Sequence, residues 1–297
     1  MHSALPLRHF LLALAVVAVW GSNFVVIKLA LGQFPPLLMA ALRFALALLP
    51  AVFFCRRPQV ALGNLALYGL LIGVGQFGML YIAMNGHISP GLASLVIQVQ
   101  VFFTIGLAMR LAGERVRRFQ WLALLLAGSG IGVIVLHTDG STTPLGLALV
   151  LVAAAAWAGG NIAAKQGAPA SMPAYVVWSS AFAVPPLLGL SLLTEGWQAA
   201  ASALRTADAA GWAALAWQAW GNSLFGYAAW GWLLARHPAA TISPLALLIP
   251  VFGMGTSAVF LDEALPAWKL GAAALVLTGL ALNLLWPKLR AAPAGRG

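Results

Sequence analysis

The charged residues of this 297-residue chain are clumped, and between the clumps run stretches of about twenty residues with almost no charge, the length needed to cross roughly 30 Å of hydrocarbon. With 62% of residues hydrophobic and 7% charged, against about a quarter charged in ordinary domains, too little ionic surface remains to face water. The fold class expected is therefore all-α integral membrane. We read ten transmembrane helices, over residues 10–31, 36–54, 62–84, 89–109, 119–136, 143–164, 173–193, 209–234, 239–261 and 270–286. The first run continues past Trp20 to Leu31, longer than a cleavable signal core, and is expected to be retained. The connections are mostly too short for a separate soluble domain.

Alternating ten helices from an inside N-terminus puts Arg8, Arg56, Arg57, Arg110, Arg115, Arg117, Arg118, Lys165, Arg236, Lys288, Arg290 and Arg296 at the cytoplasmic ends, and only Arg205 and Lys269 outside. That bias predicts a multi-pass protein of a bacterial inner membrane with both termini cytoplasmic. The net charge of +10 is then a matter of topology and anionic lipid, and no nucleic-acid partner is expected. The lone Cys55 has no partner for an intramolecular disulfide and no metal-ligand companions.

Two internal correspondences suggest a duplication. Trp20-Gly21-Ser22-Asn23 with Lys28 matches Trp157-Ala158-Gly159-Gly160-Asn161 with Lys165, with Trp to Lys the same distance and the Asn displaced by one. The series Tyr81, His87, Ala93-Ser94, Glu114 is echoed by Tyr227, His237, Ile242-Ser243, Glu263. Their common order predicts two five-helix repeats, residues 1–142 and 143–297, forming a single membrane domain. An odd number of helices per repeat makes the halves inverted in the membrane.

These residues carry a resemblance to a known family. Trp20-Gly21-Ser22-Asn23-Phe24, Arg43-Phe44, the Ala93-Ser94 pattern ending in Gly113-Glu114-Arg115, and Leu261-Asp262-Glu263 resemble the ten-helix EamA-type branch of the drug/metabolite transporter superfamily, most closely its YddG-like exporters of aromatic and other amino acids. The resemblance implies a basket of inverted repeats around a central cavity lined by helices one to four and six to nine. It further implies export of small metabolites, above all amino acids, with a multidrug or cationic-compound exporter as the alternative. Helix six departs from the pattern at Ala158-Gly159-Gly160, so residue roles do not map cleanly between halves.

The polar groups inside the helices mark where a solute could pass. A mid-helix Arg facing lipid costs about 2.5–3.5 kcal/mol on insertion scales, so Arg43 is expected to face a cavity or a partner. It is either a cation for a substrate carboxylate or a structural Arg bonded to helix-end carbonyls. Asn23, Gln76, Tyr81, Gln98, Gln100, Asn161 and Tyr227 are candidates for the cavity wall or for bonds between neighbouring helices, with Gln98 and Gln100 unable to share one face. Trp157, Trp178 and Trp217 lie deep enough to offer aromatic faces to a substrate or to pack against other helices. Gly69, Gly73 and Gly78 thin one side of helix three, and Gly128 and Gly132 form a small-xxx-small pair in helix five. Pro185, Pro186, Pro244 and Pro250 are candidate hinges.

No Gly-Lys dipeptide is present for a phosphate loop, and no His-Glu-x-x-His or Asp cluster for metal chemistry, so neither cofactor, metal nor enzymatic activity is expected. All six carboxylates fall at helix ends or in loops. A proton-coupled carrier commonly keeps one inside the membrane, so facilitated diffusion is expected, by a protein acting as a monomer.

Overall fold

The computed structural model describes residues 5–112, 118–137, 142–237 and 239–291. Nine of its helices are long and apolar enough to span a bilayer: α1 (Leu7–Leu31), α2 (Pro36–Phe53), α3 (Leu62–Met84), α4 (Pro90–Leu111), α5 (Arg118–Leu136), α6 (Pro144–Gly167), α7 (Met172–Thr194), α10 (Ser243–Leu261) and α11 (Ala267–Trp286). Between α7 and α10 lie a short helix, α8 (Trp197–Thr206), and the helical run α9 (209–236). With Gln218, Asn222 and Ser223 at its centre, α9 is less apolar than the others, yet it too traverses the bundle. Asp208 at its start bonds Gln33 between α1 and α2, whereas His237 at its end bonds His9 at the start of α1, Nε2 to Nδ1 at 2.7 Å.

The loops thus sort into two faces. On one, Glu195, Asp208 and Glu263 take helix ends as partners, and we call it the carboxylate face. The other carries Arg56, Arg57, Lys165 and Arg236, and we call it the arginine face. Helix N-termini present unpaired N–H groups and positive dipole ends, which acidic side chains satisfy. The Leu37 and Leu38 amides at the start of α2 donate to Glu195 at 2.6 and 3.0 Å. The Gly91 amide at the start of α4 donates to Glu263 at 2.8 Å, and Ser89 Oγ and Lys269 Nζ complete that carboxylate's shell. A Cβ on Gly91 would lie 2.9 Å from a Glu263 oxygen, so any larger residue there would push the carboxylate from its present seat. Lys269–Glu263 is the only ion pair among the described residues. Glu114, the expected counterpart of Glu263, lies outside the described residues, as do Asp139, Arg115, Arg117 and Arg296.

Small residues set the helix packing. Gly69, Gly73 and Gly78 meet Ser179, Ala183 and Leu187 in turn, which seats α3 along α7 as their spacing predicts. Gly128 and Gly132 do not form the expected contact: added Cβ atoms there would meet nothing. Gly130, on the opposite face of α5, meets α11 at Ala272 and Val276 instead. The contact is made by a single glycine half a turn from the expected pair. Packing pairs α2 with α7, α4 with α10 and α5 with α11. It also pairs α1 with α10 and α6 with α4, α3 with α6 and α9 with α1, and α3 with α7 and α9 with α2.

Five helices depart from α geometry: α2 ends in a 3₁₀ turn at Ala51–Phe53, and the other four fall two and two. A π stretch occupies Leu70–Gly78 of α3 and Trp217–Phe225 of α9. A 3₁₀ turn interrupts α4 at Ile97–Val99, and another opens α10 at Ser243–Leu248. Pro244 stands in the first turn of that 3₁₀ segment, and Pro250 at its junction with the α-helix after it. Pro185 and Pro186 lie inside the uninterrupted α7. The helix α8, in a stretch read from sequence as a connection, lies at the carboxylate face with Ala200 and Ala203 buried and Trp197 exposed.

Candidate functional site

Arg43 is carried into the interior by α2, seven residues from the carboxylate face, and is 1% exposed. Its Nη1 donates to Tyr81 Oη of α3 at 3.0 Å and its Nη2 to Ser223 Oγ of α9 at 2.7 Å. Both acceptors donate onward to one residue of α9: Tyr81 Oη to the side-chain oxygen of Gln218, and Ser223 Oγ to the Gln218 carbonyl at 3.0 Å. The Phe77 ring lies under the guanidinium, its centroid 3.6 Å from Cζ. The charge is thus held by hydroxyls and an aromatic face, and no carboxylate neutralises it among the described residues. Arg43 Nε is buried without a partner.

Next to this cluster is a narrow cavity of about 10 Å³, room for about one water molecule, lined by Arg43, Tyr68, Phe77, Ser179, Ser180, Ser223 and Tyr227 among others. Tyr68, Ser179 and Ser180 lie well towards the arginine face on α3 and α7, whereas Tyr81 is near the opposite end of α3. Arg43 therefore stands where the cavity ends and the Tyr81–Gln218 closure begins. Ser180 Oγ bonds the Val176 carbonyl, but Ser179 Oγ, 1% exposed, has no partner. Two buried polar groups at the cavity wall, Arg43 Nε and Ser179 Oγ, have no partner, and an unmade bond of this kind costs about 1–3 kcal/mol.

On the arginine side, Asn64 and Tyr175 close the bundle. Tyr175 Oη donates to Asn64 Oδ1 at 2.6 Å, Asn64 Nδ2 donates to the Ala163 carbonyl at 2.8 Å, and the Tyr68 and Tyr175 rings meet at 4.6 Å. The cavity sits between two closures.

The other candidates from the sequence divide. Tyr81 and Tyr227 belong to this site with Arg43, while Gln100 and Asn161 bond each other at 2.9 Å and tie α4 to α6. Asn23, Gln76 and Gln98 are buried, and Asn23 Oδ1, Gln76 Oε1 and Gln98 Nε2 lack partners. Trp157 packs half-buried against the core. Trp178 is pinned at the arginine face, its Nε1 donating to the Cys55 carbonyl at 3.0 Å. Trp217 is 40% exposed on the outside of the bundle. Sequence reading missed Tyr68, Phe77, Ser179, Ser180 and Ser223 as site residues. Serine is so common at helix contacts that only the adjacent pair Ser179-Ser180 in mid-α7 could have flagged it.

The profile of the EamA-like transporter family matches residues 7–136 and 144–285. The "Probable amino-acid metabolite efflux pump" of Salmonella typhimurium is 42% identical over 286 residues, 94% of this chain and 95% of that protein. A protein of the same description from Escherichia coli K12 is 42% identical over 289 residues, 93% and 96% of the two chains. The "Probable terminal-alkyne amino-acid exporter" of Streptantibioticus cattleyicolor is 26% identical over 276 residues, 90% of each. A protein of known crystal structure, 18% identical, shares the fold with a TM-score of 0.64 across 97% of this chain and 99% of its own. With its spanning helices and a family profile that covers nearly all of it, this chain is a multi-pass membrane protein of the EamA-like transporter family, a transporter and not an enzyme.

Proposed function

We propose that this protein exports amino acids, aromatic and other neutral ones, from the cytoplasm by alternating access at the Arg43 cavity. The observation that carries the reading is Arg43 itself, a buried cation at a cavity wall with a free Nε and no carboxylate partner among the described residues. A substrate carboxylate would supply the missing anion, by the two-bond fork that guanidinium and carboxylate geometry favours. Such a site is hostile to a cationic drug. The descriptions of relatives covering over nine-tenths of the chain as amino-acid metabolite efflux pumps support the same substrate class.

The scaffold we propose is ten transmembrane helices in two inverted repeats, residues 1–142 and 143–297, acting as a monomer in a bacterial inner membrane. Supporting it are a family profile that matches once in each half, helix pairs that exchange when each spanning helix is replaced by its counterpart in the other half, and matched π and 3₁₀ interruptions. Both termini are then cytoplasmic and the carboxylate face is external. Impermeant thiol labelling in intact cells checks this: Cys at Asp262 in a Cys55→Ser background labels, and Cys at Arg57 does not. We further propose facilitated diffusion, since Glu195, Asp208, Asp262 and Glu263 all sit at the carboxylate face.

The test is transport in proteoliposomes of a neutral amino acid and of the matched amine lacking its carboxylate. Arg43→Gln is expected to lose amino-acid transport by tenfold or more, about the value of one charge-assisted hydrogen bond, and to leave the amine unaffected. Equal loss for both refutes the carboxylate role. Accumulation above the external level only under an imposed pH gradient refutes facilitated diffusion.

A further inference from the structure

Arg43 presents its carboxylate-binding fork half occupied. The side-on fork of an arginine consists of Nε with Nη2, whose N–H bonds run parallel. Here Nε has no partner, and Nη2 is bonded to Ser223 Oγ at 2.7 Å. Nη1, outside that fork, holds Tyr81. A carboxylate entering from the cavity therefore meets an open Nε and an Nη2 that already donates one of its two N–H groups to Ser223. That bond joins α2 to the π stretch of α9. Trp220 Nε1, bonded to the Leu46 carbonyl at 2.9 Å, makes a second tie between the same two elements from the exposed surface. Ser223 is 3% exposed, and when Arg43 leaves it, its hydroxyl still has the Gln218 carbonyl to donate to. The exchange strands no donor on α9.

We propose that Ser223 is a specificity-determining residue: the substrate's carboxylate takes its place on Arg43 Nη2, and that exchange unhooks the π stretch of α9 from α2 and starts the opening of the cavity. This rests on the reading of Arg43 as the carboxylate site. The carboxylate is then needed twice, to bind and to release the helix, and a ligand without it leaves α9 tied. The π stretch suits the role. Its widened turn already forgoes regular α bonds, so it can shift register at a smaller cost than an α-helix, and π segments recur at functional sites.

The experiment measures two quantities on purified full-length protein. One is the affinity for a neutral amino acid, for the matched amine and for the matched carboxylate without its amino group. The other is the distance between spin labels at Phe53→Cys in α2 and Leu234→Cys in α9, in a Cys55→Ser background. In the otherwise unchanged protein, the amino acid and the carboxylate are expected to shift the α2–α9 distance by about 2 Å or more, and the amine to leave it fixed. Ser223→Ala removes the competitor. It is expected to tighten amino-acid binding about fivefold, the worth of one exchanged hydrogen bond, without changing amine binding, and to show the shifted distance with no ligand. Ser223→Thr, which keeps the hydroxyl, restores both. Amino acid that is transported with no change in the α2–α9 distance overturns the proposal, and so does Ser223→Ala that weakens amino acid and amine alike. A response to the plain carboxylate but not to the amino acid upholds the exchange at Ser223 while refuting amino-acid export. Binding of none of the three overturns both.

Discussion

The helices α3 and α9 carry the same backbone device, a nine-residue π stretch in mid-membrane, and use opposite chemistry around it. In α3 the stretch is Leu70–Gly78, with three glycines that let α6 and α7 approach to backbone contact. In α9 it is Trp217–Phe225, in which Gln218 and Ser223 reach the Arg43 cluster and Trp217 and Trp220 face outwards, 40% and 45% exposed. The first is a packing surface fixed by the absence of side chains, the second a polar surface fixed by hydrogen bonds. A widened turn is thus not in itself a site. It becomes one where the helix beside it is held by bonds that a ligand can exchange, rather than by close contact that nothing small can relieve.

This contrast can be broken most decisively with glycine. A Cβ at Gly69 would lie 2.2 Å from the Ser179 carbonyl oxygen, a backbone atom that cannot turn away, whereas a Cβ at Gly231 of α9 would meet nothing within 4 Å. Gly69→Ala is expected to destabilise by about 2 kcal/mol through overpacking. Gly231→Ala is expected to be neutral or to gain about 0.5 kcal/mol in helix propensity. Thermal midpoints in detergent decide, and equal falls at both positions would erase the difference between the two helices.

A smaller effect sharpens the polar side of the comparison. Gln218 accepts from Tyr81, so Gln218→Leu strands a buried hydroxyl beside Arg43 and is expected to cost about 1–2 kcal/mol. Gln76, in the π stretch of α3, has a buried side-chain oxygen with no partner, and Gln76→Leu is expected to leave the midpoint within about 0.5 kcal/mol. A larger loss at Gln76 than at Gln218 would place the critical polar bonds in α3.

The smallest effect concerns how the two helices begin. Ala61, ahead of α3, offers no side-chain cap, while Asp208 caps α9 by accepting from the Gly211 amide at 2.9 Å. That amide, and after it the Gln33 side chain, holds the Asp208 carboxyl below its ordinary value. A lowered native pKa means that the cap's stabilisation is fully present above the ordinary aspartate range near about 4 and is lost as pH falls through the lowered value. Asp208→Asn is expected to flatten the acid limb of the stability profile by a small margin and to leave the neutral midpoint nearly unchanged, an exposed site being well screened. An unchanged acid limb would show that the cap makes no contribution to acid stability.

The sequence by itself determined the membrane class and nine of the ten spanning segments read from it, because hydropathy is a sum over neighbours in the chain and the cost of lipid-exposed charge is large. It also singled out Arg43, since no cation sits in mid-helix without a reason, and the seam of Gly69, Gly73 and Gly78, since missing side chains about one turn apart thin the same side of any helix. The register of Gly130 against Ala272, the amphipathic α8, and the assembly of Arg43 with Tyr81, Gln218, Ser179 and Ser223 were decided only in the tertiary structure. Arg43 lies 38 residues from Tyr81 and 180 from Ser223. A glutamine or serine in mid-membrane looks alike whether it bonds a neighbouring helix or a solute. A π stretch adds to the difficulty by rotating everything beyond it off the 3.6-residue period from which a helix face is read, so which polar groups converge is fixed by helix contacts between distant parts of the chain and not by spacing along it.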